Sequence, residues 1–416
     1  MTDTRAIDAT VARVHREEWA RVVASLTRRF GSLDLAEEMA AEAFATAVQR
    51  WRIDGIPPSP GAWITTTANR KAIDRLRREG QRDTKHQEAL MLHDDSPPEP
   101  IGVVEDDQLR LVFTCCHPAL AMEARVALTL RMIGGLSVPE IARAFLVQQT
   151  TMGQRISRAK NKIRDAGIPF RLPDAEDLPL RLDGVLTVLY LIFNEGYLTS
   201  GNESDPIRRD LTAEAIRLTQ LVRSLLPGDG EVAGLLALMV LTEARAAARV
   251  SASGELVRLD EQDRGAWDRV LINEGISLVR ERLDVVACGE ARPGRFQILA
   301  AINAVHASAA DARDTDWSQI AALYDQLTAI DPNPIVRLNR AIAIAELDGP
   351  DVALALVDQL DEPLRDYHAY HATRADLLRR LARSADARTA YERAIELTAN
   401  TAEIAHLTRR RDQLAG

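Results

Sequence analysis

Apolar residues recur at i, i+3 and i+4 along almost the whole chain, and few stretches alternate as a half-buried strand must. The pattern predicts an all-α protein. Two clusters interrupt it: Asp94-Asp95-Ser96-Pro97-Pro98-Glu99-Pro100-Ile101-Gly102, and Gly167-Ile168-Pro169 through Leu172-Pro173. Proline cannot continue a helix interior, so each cluster should end a block. The breaks predict a helical module over 1–90, a flexible linker over 91–104, a second module over 105–170 and a long extension after it. The extension divides again. Residues 171–315 read as a domain of about five long helices, including 178–197 and 232–250. An Asn-Glu-Gly tripeptide at Asn194–Gly196, and again at Asn273–Gly275, would suit helix ends.

From 316 to 416 the pattern repeats. Tyr324-Asp325-Gln326-Leu327, Val357-Asp358-Gln359-Leu360 and Tyr391-Glu392-Arg393-Ala394 recur about every 34 residues. Ala341, Ala345, Ala372, Ala375, Ala387, Ala390 and Ala394 supply small residues for helix crossings, and Asp331-Pro332-Asn333-Pro334 would close the first unit. Period and small residues resemble tetratricopeptide repeats, which would offer a surface to a protein or a small ligand.

Charge sharpens this picture. The 416 residues carry a net charge of −9, unevenly placed: 24 Lys+Arg against 22 Asp+Glu in residues 1–170, and 28 against 39 in 171–416. A uniform basic coat for nucleic acid is excluded, whereas a local basic element near the front is not. Cys115, Cys116 and Cys288 are too few for a disulfide framework. Asp3, Asp8, Glu17 and Glu18 break the first 30 residues, against a signal peptide, and no uncharged apolar run reaches the ~20 residues of a membrane span. The expected location is cytoplasmic.

The basic element lies in 125–166. A helix over Arg125–Ile133 should stop at Gly134-Gly135; Ser137-Val138-Pro139-Glu140 then has the S-x-x-E form of a capping box. A short helix to Phe145, a turn at Leu146–Gln149 and a second helix from about Thr150 give helix-turn-helix spacing. Met152, Ile156, Ala159 and Ile163 share a packing face. Thr151, Gln154, Arg155, Arg158 and Lys162 lie opposite. Ile141 to Arg164 holds six basic residues and no acidic one, suited to phosphates with Gln and Arg left for base edges.

A second constellation comes earlier. Asp34 to Phe44 forms an acidic amphipathic helix leading to Trp51, and a turn-rich loop, Asp54 to Gly61, follows it. Ala62 to Arg78 then makes a basic helix in which Ala68, Ala72 and Leu76 pack while Arg70, Lys71, Arg75, Arg77 and Arg78 can track a phosphate backbone.

Together these residues resemble a bacterial RNA polymerase sigma factor of the sigma-70 superfamily, in the extracytoplasmic-function group: 10–85 is similar to region 2 and 105–166 to region 4. The long helical extension is similar to that of one subgroup. The resemblance implies core RNA polymerase and promoter DNA as partners, and no enzymatic activity, cofactor or metal. It assigns polymerase docking to Asp34, Glu37, Glu38 and Glu42, facing outward with Phe44 inward. It assigns the promoter −10 element to Asp54, Gly55, Ile56, Ser59, Trp63, Asn69, Arg70, Lys71, Arg75 and Arg78, with the 54–61 loop capturing a flipped base. It assigns the −35 element to Thr151, Gln154, Arg155, Ser157, Arg158 and Lys162. Three positions depart from the family: Ala41 replaces a usual Gln, Asn69 falls one residue before the usual Asn, and Gly153 stands where a basic residue is frequent.

Cys115-Cys116-His117 lacks the C-x₂₋₄-C spacing of familiar zinc sites, so a buried reduced pair is expected. His368 and His371 could face a ligand, but a packing seam suits them better. A helix-turn-helix regulator that recruits polymerase, and an enzyme within 176–312, are the competing readings; the first has no need of the helices at 34–78, and no catalytic motif speaks for the second.

Overall fold

The computed structural model describes residues 4–80, 101–145, 147–197, 208–251, 255–287 and 292–414. Among them the chain is helical throughout, with one isolated bridge between Val250 and Leu256. No described helix is long and apolar enough to cross a membrane. The chain divides into two units, Met1–Leu191 and Ile192–Gly416.

The first unit contains α1 (Thr4–Phe30), α2 (Leu33–Asp54), α3 (Pro60–Gly80), α4 (Ile101–Cys115), α5 (Met122–Met132), α6 (Val138–Ala144) and α7 (Gln149–Asp165). Ser32 caps α2, its hydroxyl accepting from Leu35 N at 3.3 Å. The α2 positions that recur every three or four residues (Met39, Ala43, Phe44, Ala47, Trp51) are all buried, so burial of one face selects the helix more than propensity does. Of the expected linker at 91–104, residues 91–100 lie outside the described residues, and Ile101 onward is already helical.

The helix-turn-helix is built as its sequence suggests. Glu140 accepts from Ser137 N at 2.7 Å, and Ser137 Oγ accepts from Glu140 N at 3.4 Å, a reciprocal capping box. On α7, Met152, Ile156, Ala159 and Ile163 are the buried residues. Gly135 adopts φ +74°, and a Cβ there would sit 2.8 Å from His15 and 3.0 Å from Trp19. Only glycine satisfies both demands.

The second unit begins within α8 (Leu178–Tyr197) and continues through α9 (Arg209–Leu225), α10 (Gly230–Glu243), α11 (Arg269–Ala287) and α12 (Arg295–Ser308). The expected helix over 232–250 stops at Glu243; Ala246–Ala248 is a 3₁₀ turn. Neither Asn-Glu-Gly glycine caps a helix. Gly275 lies inside α11, where a Cβ would meet the Leu241 side chain at 2.5 Å, and a Cβ on Gly196 would meet the backbone of Thr212 and Arg208 at 2.6 and 2.8 Å. Both glycines permit close helix approach.

There follow α13 (Trp317–Ile330), α14 (Pro334–Leu347), α15 (Pro350–Asp358), α16 (Asp361–Leu364), α17 (His368–Arg380), α18 (Ser384–Leu397) and α19 (Thr401–Asp412). The three sequence repeats fall on α13, the end of α15 and α18, and Ala341, Ala345, Ala375, Ala387, Ala390 and Ala394 are buried at crossings. Asp331–Pro334 joins two helices rather than closing a unit: Asn333 caps α14 by accepting from Ile335 N, and Pro334 takes its first turn, where a missing N–H costs nothing.

Gly196→Ala should destabilise the protein. Its helix-propensity gain of about 1 kcal/mol opposes a backbone overlap costing about 1–3 kcal/mol or more. Gly275→Ala, which meets only a movable side chain, should cost less. Thermal unfolding of both variants checks the order; a Gly196→Ala protein at least as stable as the wild type would contradict the crossing.

Candidate nucleic-acid interface

The recognition face of α7 is open. Thr151, Gln154, Ser157, Arg158 and Lys162 are exposed, and Arg155 is half-buried. With Leu120, Ala121 and Ala124 near the start of α5, several of them line a shallow cleft of about 320 Å³. Gln154 and Arg158 stand one turn apart on this face. Gly153 faces Val138 of α6, whose nearest atom would lie 3.8 Å from a Cβ, so the tight turn has room for alanine there.

The loop between α2 and α3 presents apolar surface. Ile53 is 81% exposed, beside Asp54, Gly55, Ile56 and Ser59, which are exposed as well. Trp51 and half-buried Trp63 meet edge to face, ring centroids 5.6 Å apart, and pin the two ends of the loop. Ile53 was not among the expected site residues. Its signal is a large aliphatic residue at the hydrated end of a helix, visible once exposure is known.

The basic residues of α3 divide into two sets. Lys71 reaches Glu42 at 3.1 Å, and Arg75 reaches Glu38 at 3.7 Å and Glu79 at 2.5 Å. Arg70 and Arg78 are exposed, Arg78 Nε donating to the Asp74 carbonyl, while Asn69 Oδ1 accepts from Arg29 at 3.5 Å. The acidic helix α2 and the basic helix α3 therefore neutralise each other along part of their length.

The docking residues do not all face outward. Asp34, Glu38 and Glu42 are exposed and Phe44 is buried, but Glu37 is only 14% exposed. Its carboxylate accepts from Arg131 Nε at 2.6 Å and from Lys160 Nζ at 2.9 Å; these cations are 16% and 13% exposed. Lys160 also reaches Asp34 at 2.5 Å. The family resemblance implies an outward Glu37, and it could not show α5 and α7 covering that position. Burial alone would lower the Lys160 ammonium, but hydrogen bonds to Asp34 and Glu37 outweigh it and hold the group above its ordinary value. Two further ties anchor α1: Trp19 Nε1 donates to the carbonyl of Arg131 on α5 at 3.2 Å, and buried Asp107 of α4 accepts from Arg28 of α1 at 2.7 Å and from its own helix's Arg110 at 2.8 Å.

Cys115 and Cys116 are both buried and free. Burial pushes both thiols up, Cys116 to about 11, so neither is a nucleophile near neutral pH. Cys288 lies outside the described residues. Among the described residues no group of three His, Cys, Asp or Glu side chains could hold a metal ion.

Comparison with known proteins agrees with this layout. Sigma-70 region 2 matches residues 16–82, Sigma-70 region 4 matches 110–163, and a family of unknown function, DUF6596, matches 181–283. An uncharacterized protein of Rhizobium meliloti (strain 1021) is 42% identical over 421 residues, spanning 100% of this chain and 97% of its own length. The ECF RNA polymerase sigma factor SigK of Mycobacterium ulcerans (strain Agy99) is 25% identical over 178 residues, 39% of this chain and 92% of the relative. SigK of Mycobacterium tuberculosis (strain ATCC 25618 / H37Rv) is 26% identical over 164 residues, 38% and 85% of the two chains. No solved structure matches. With regions 2 and 4 matched in order and sigma factors of this group among its relatives, the chain belongs to the extracytoplasmic-function sigma factors of the sigma-70 superfamily.

Proposed function

We propose that this sigma factor reads a −35 element with α7 and a −10 element with the 51–63 loop and α3, and that its front unit rests in a form that conceals part of its docking surface. The observation that carries the reading is Glu37. The residue that the family resemblance sends to polymerase is held here by Arg131 and Lys160, both from region 4. Each of these partners contributes roughly 1–3 kcal/mol when partly buried, so a basic clamp surface on core polymerase can compete for the carboxylate. Docking then frees Lys160, on the helix that reads DNA, at the step when DNA contacts are needed.

The extension is proposed to support the front unit rather than mask it. Residues 178–191 belong to the first unit, and Arg181 donates to the Phe113 carbonyl at 2.8 Å. Exposed charges of the acidic extension are screened beyond about 8–10 Å at physiological salt, which limits long-range mimicry of DNA.

Three outcomes follow from these assignments. Arg158→Ala should lose discrimination at one −35 base pair by roughly 1–3 kcal/mol, whereas Lys162→Ala should weaken all sequences evenly and flatten the salt dependence; identical promoter profiles for wild type and Arg158→Ala would remove Arg158 from base reading. Glu37→Lys should abolish binding to core polymerase, while Lys160→Gln should tighten it by roughly tenfold by releasing Glu37. Titration of each full-length variant with core enzyme, without DNA, measures this; unchanged affinity in Lys160→Gln would show that the pairing does not restrain docking. Finally, truncation to 1–175 should initiate less transcription with core enzyme than the full-length protein, because the front unit loses Arg181 and the rest of its 176–191 segment; higher output from 1–175 at equal protein level would establish the extension as inhibitory.

A further inference from the structure

The second unit holds three arginines with unbalanced charge. Arg249 is 7% exposed; its guanidinium lies over the Tyr197 ring and donates to the Tyr197 carbonyl. Arg264 is 8% exposed and donates to the carbonyls of His306 and Ala309 at 2.6 and 2.7 Å. Half-buried Arg245 donates to Asn303 Oδ1 at 3.1 Å. All of these acceptors are neutral. Among the described residues no carboxylate stands within ion-pair distance of any of the three; Glu403 and Glu243 attract Arg249, and Asp311 and Asp314 attract Arg264, only from farther away, while Arg245 repels both.

The positive field registers on the neighbours. Burial lowers the Arg249 guanidinium to about 10, with Arg245 adding to the effect. Burial, then Arg245 and Arg264, hold His306 down at about 4. Burial should raise the Tyr197 phenol, yet Arg245 and Arg249 outweigh it and the phenol falls below its ordinary value. Charges removed from water without a counter-charge are costly, and this cluster sits in the half of the chain that is strongly acidic overall.

Arg245 and Arg249 border a cleft of about 400 Å³, a volume suited to a small organic molecule. The acidic residues bordering it already have partners. Asp376 is paired with Arg258 at 3.1 Å and Arg379 at 2.8 Å, Glu346 with Arg380 at 2.6 Å, and Glu403 accepts from the Thr398 hydroxyl at 2.6 Å beside His368 at 3.5 Å. Arg245 and Arg249 are left without a carboxylate at ion-pair distance, Glu403 and Glu243 acting on Arg249 only at longer range. Ala345, Ala369, Ala372 and Leu407 supply an apolar wall.

We propose that this cleft binds a small organic anion: a carboxylate or phosphate head neutralises Arg245 and Arg249, and an apolar body lies along α14, α17 and α19. The anion supplies the close counter-charge that no described carboxylate provides at ion-pair distance. This site is independent of the promoter and polymerase assignments above.

Isothermal titration of the full-length protein, at matched ionic strength, tests it with inorganic phosphate as head alone and hexyl phosphate as head plus apolar body. Saturable binding of hexyl phosphate is expected, about tenfold or more tighter than inorganic phosphate and lost in Arg245→Gln and Arg249→Gln. Arg249→Gln should also melt no lower than the wild type without anion, because it removes a buried uncompensated charge. If Arg249→Gln fails to fold, half-buried Arg245→Gln decides the matter. No saturable binding of either probe to the wild type, or undiminished binding to Arg245→Gln, overturns the proposal; equal affinity for the two probes overturns the apolar subsite.

Discussion

The carboxylate of Glu37 sets the terms for the front unit. A glutamate that is mostly removed from water needs compensating charge, and Arg131 and Lys160 provide it from two different helices of region 4. That requirement brings α5 and α7 onto α2. It also gives Gly135 its role, since the turn after α5 can approach His15 and Trp19 only without a side chain. Region 2 and region 4, which read as separate modules joined by a proline-rich segment, thus share one unit.

The same pairing links the two functional surfaces. Lys160 stands on the packing side of the recognition helix, so Thr151, Gln154, Ser157, Arg158 and Lys162 stay free while the docking helix is held. On the other side of α2, Glu38 and Glu42 meet Arg75 and Lys71 of α3. Under the proposed reading, one acidic helix couples docking, melting and −35 recognition, and competition for its carboxylates is the control point.

The second unit shows the opposite management of charge. Around the cleft Asp376 and Glu346 are paired with arginines, but Arg245, Arg249 and Arg264 rely for their close contacts on neutral carbonyl, amide and aromatic partners. Helix packing there is set by small residues: Gly196 and Gly275 allow close approach, and the alanines of α14 to α18 mark crossings. A tripeptide that reads locally as a helix end is a contact, because Asn-Glu-Gly suits either use and only the neighbouring helix distinguishes them.

The sequence by itself determined the all-α class, the helix-turn-helix with its capping box, and the four buried positions of α7. These follow from periodicity and short-range hydrogen bonding, which involve residues a few positions apart. It also carried the order of the two sigma regions. Tertiary structure decided the rest. Glu37 has the periodicity of an outward residue, yet Arg131 lies 94 positions away and Lys160 lies 123. Ile53 became a candidate only once its exposure was known, and the lack of a close ion pair at Arg245 and Arg249 only once their spatial neighbours were known. Charge balance in a folded chain is a sum over spatial neighbours, and no local reading of a sequence contains those neighbours.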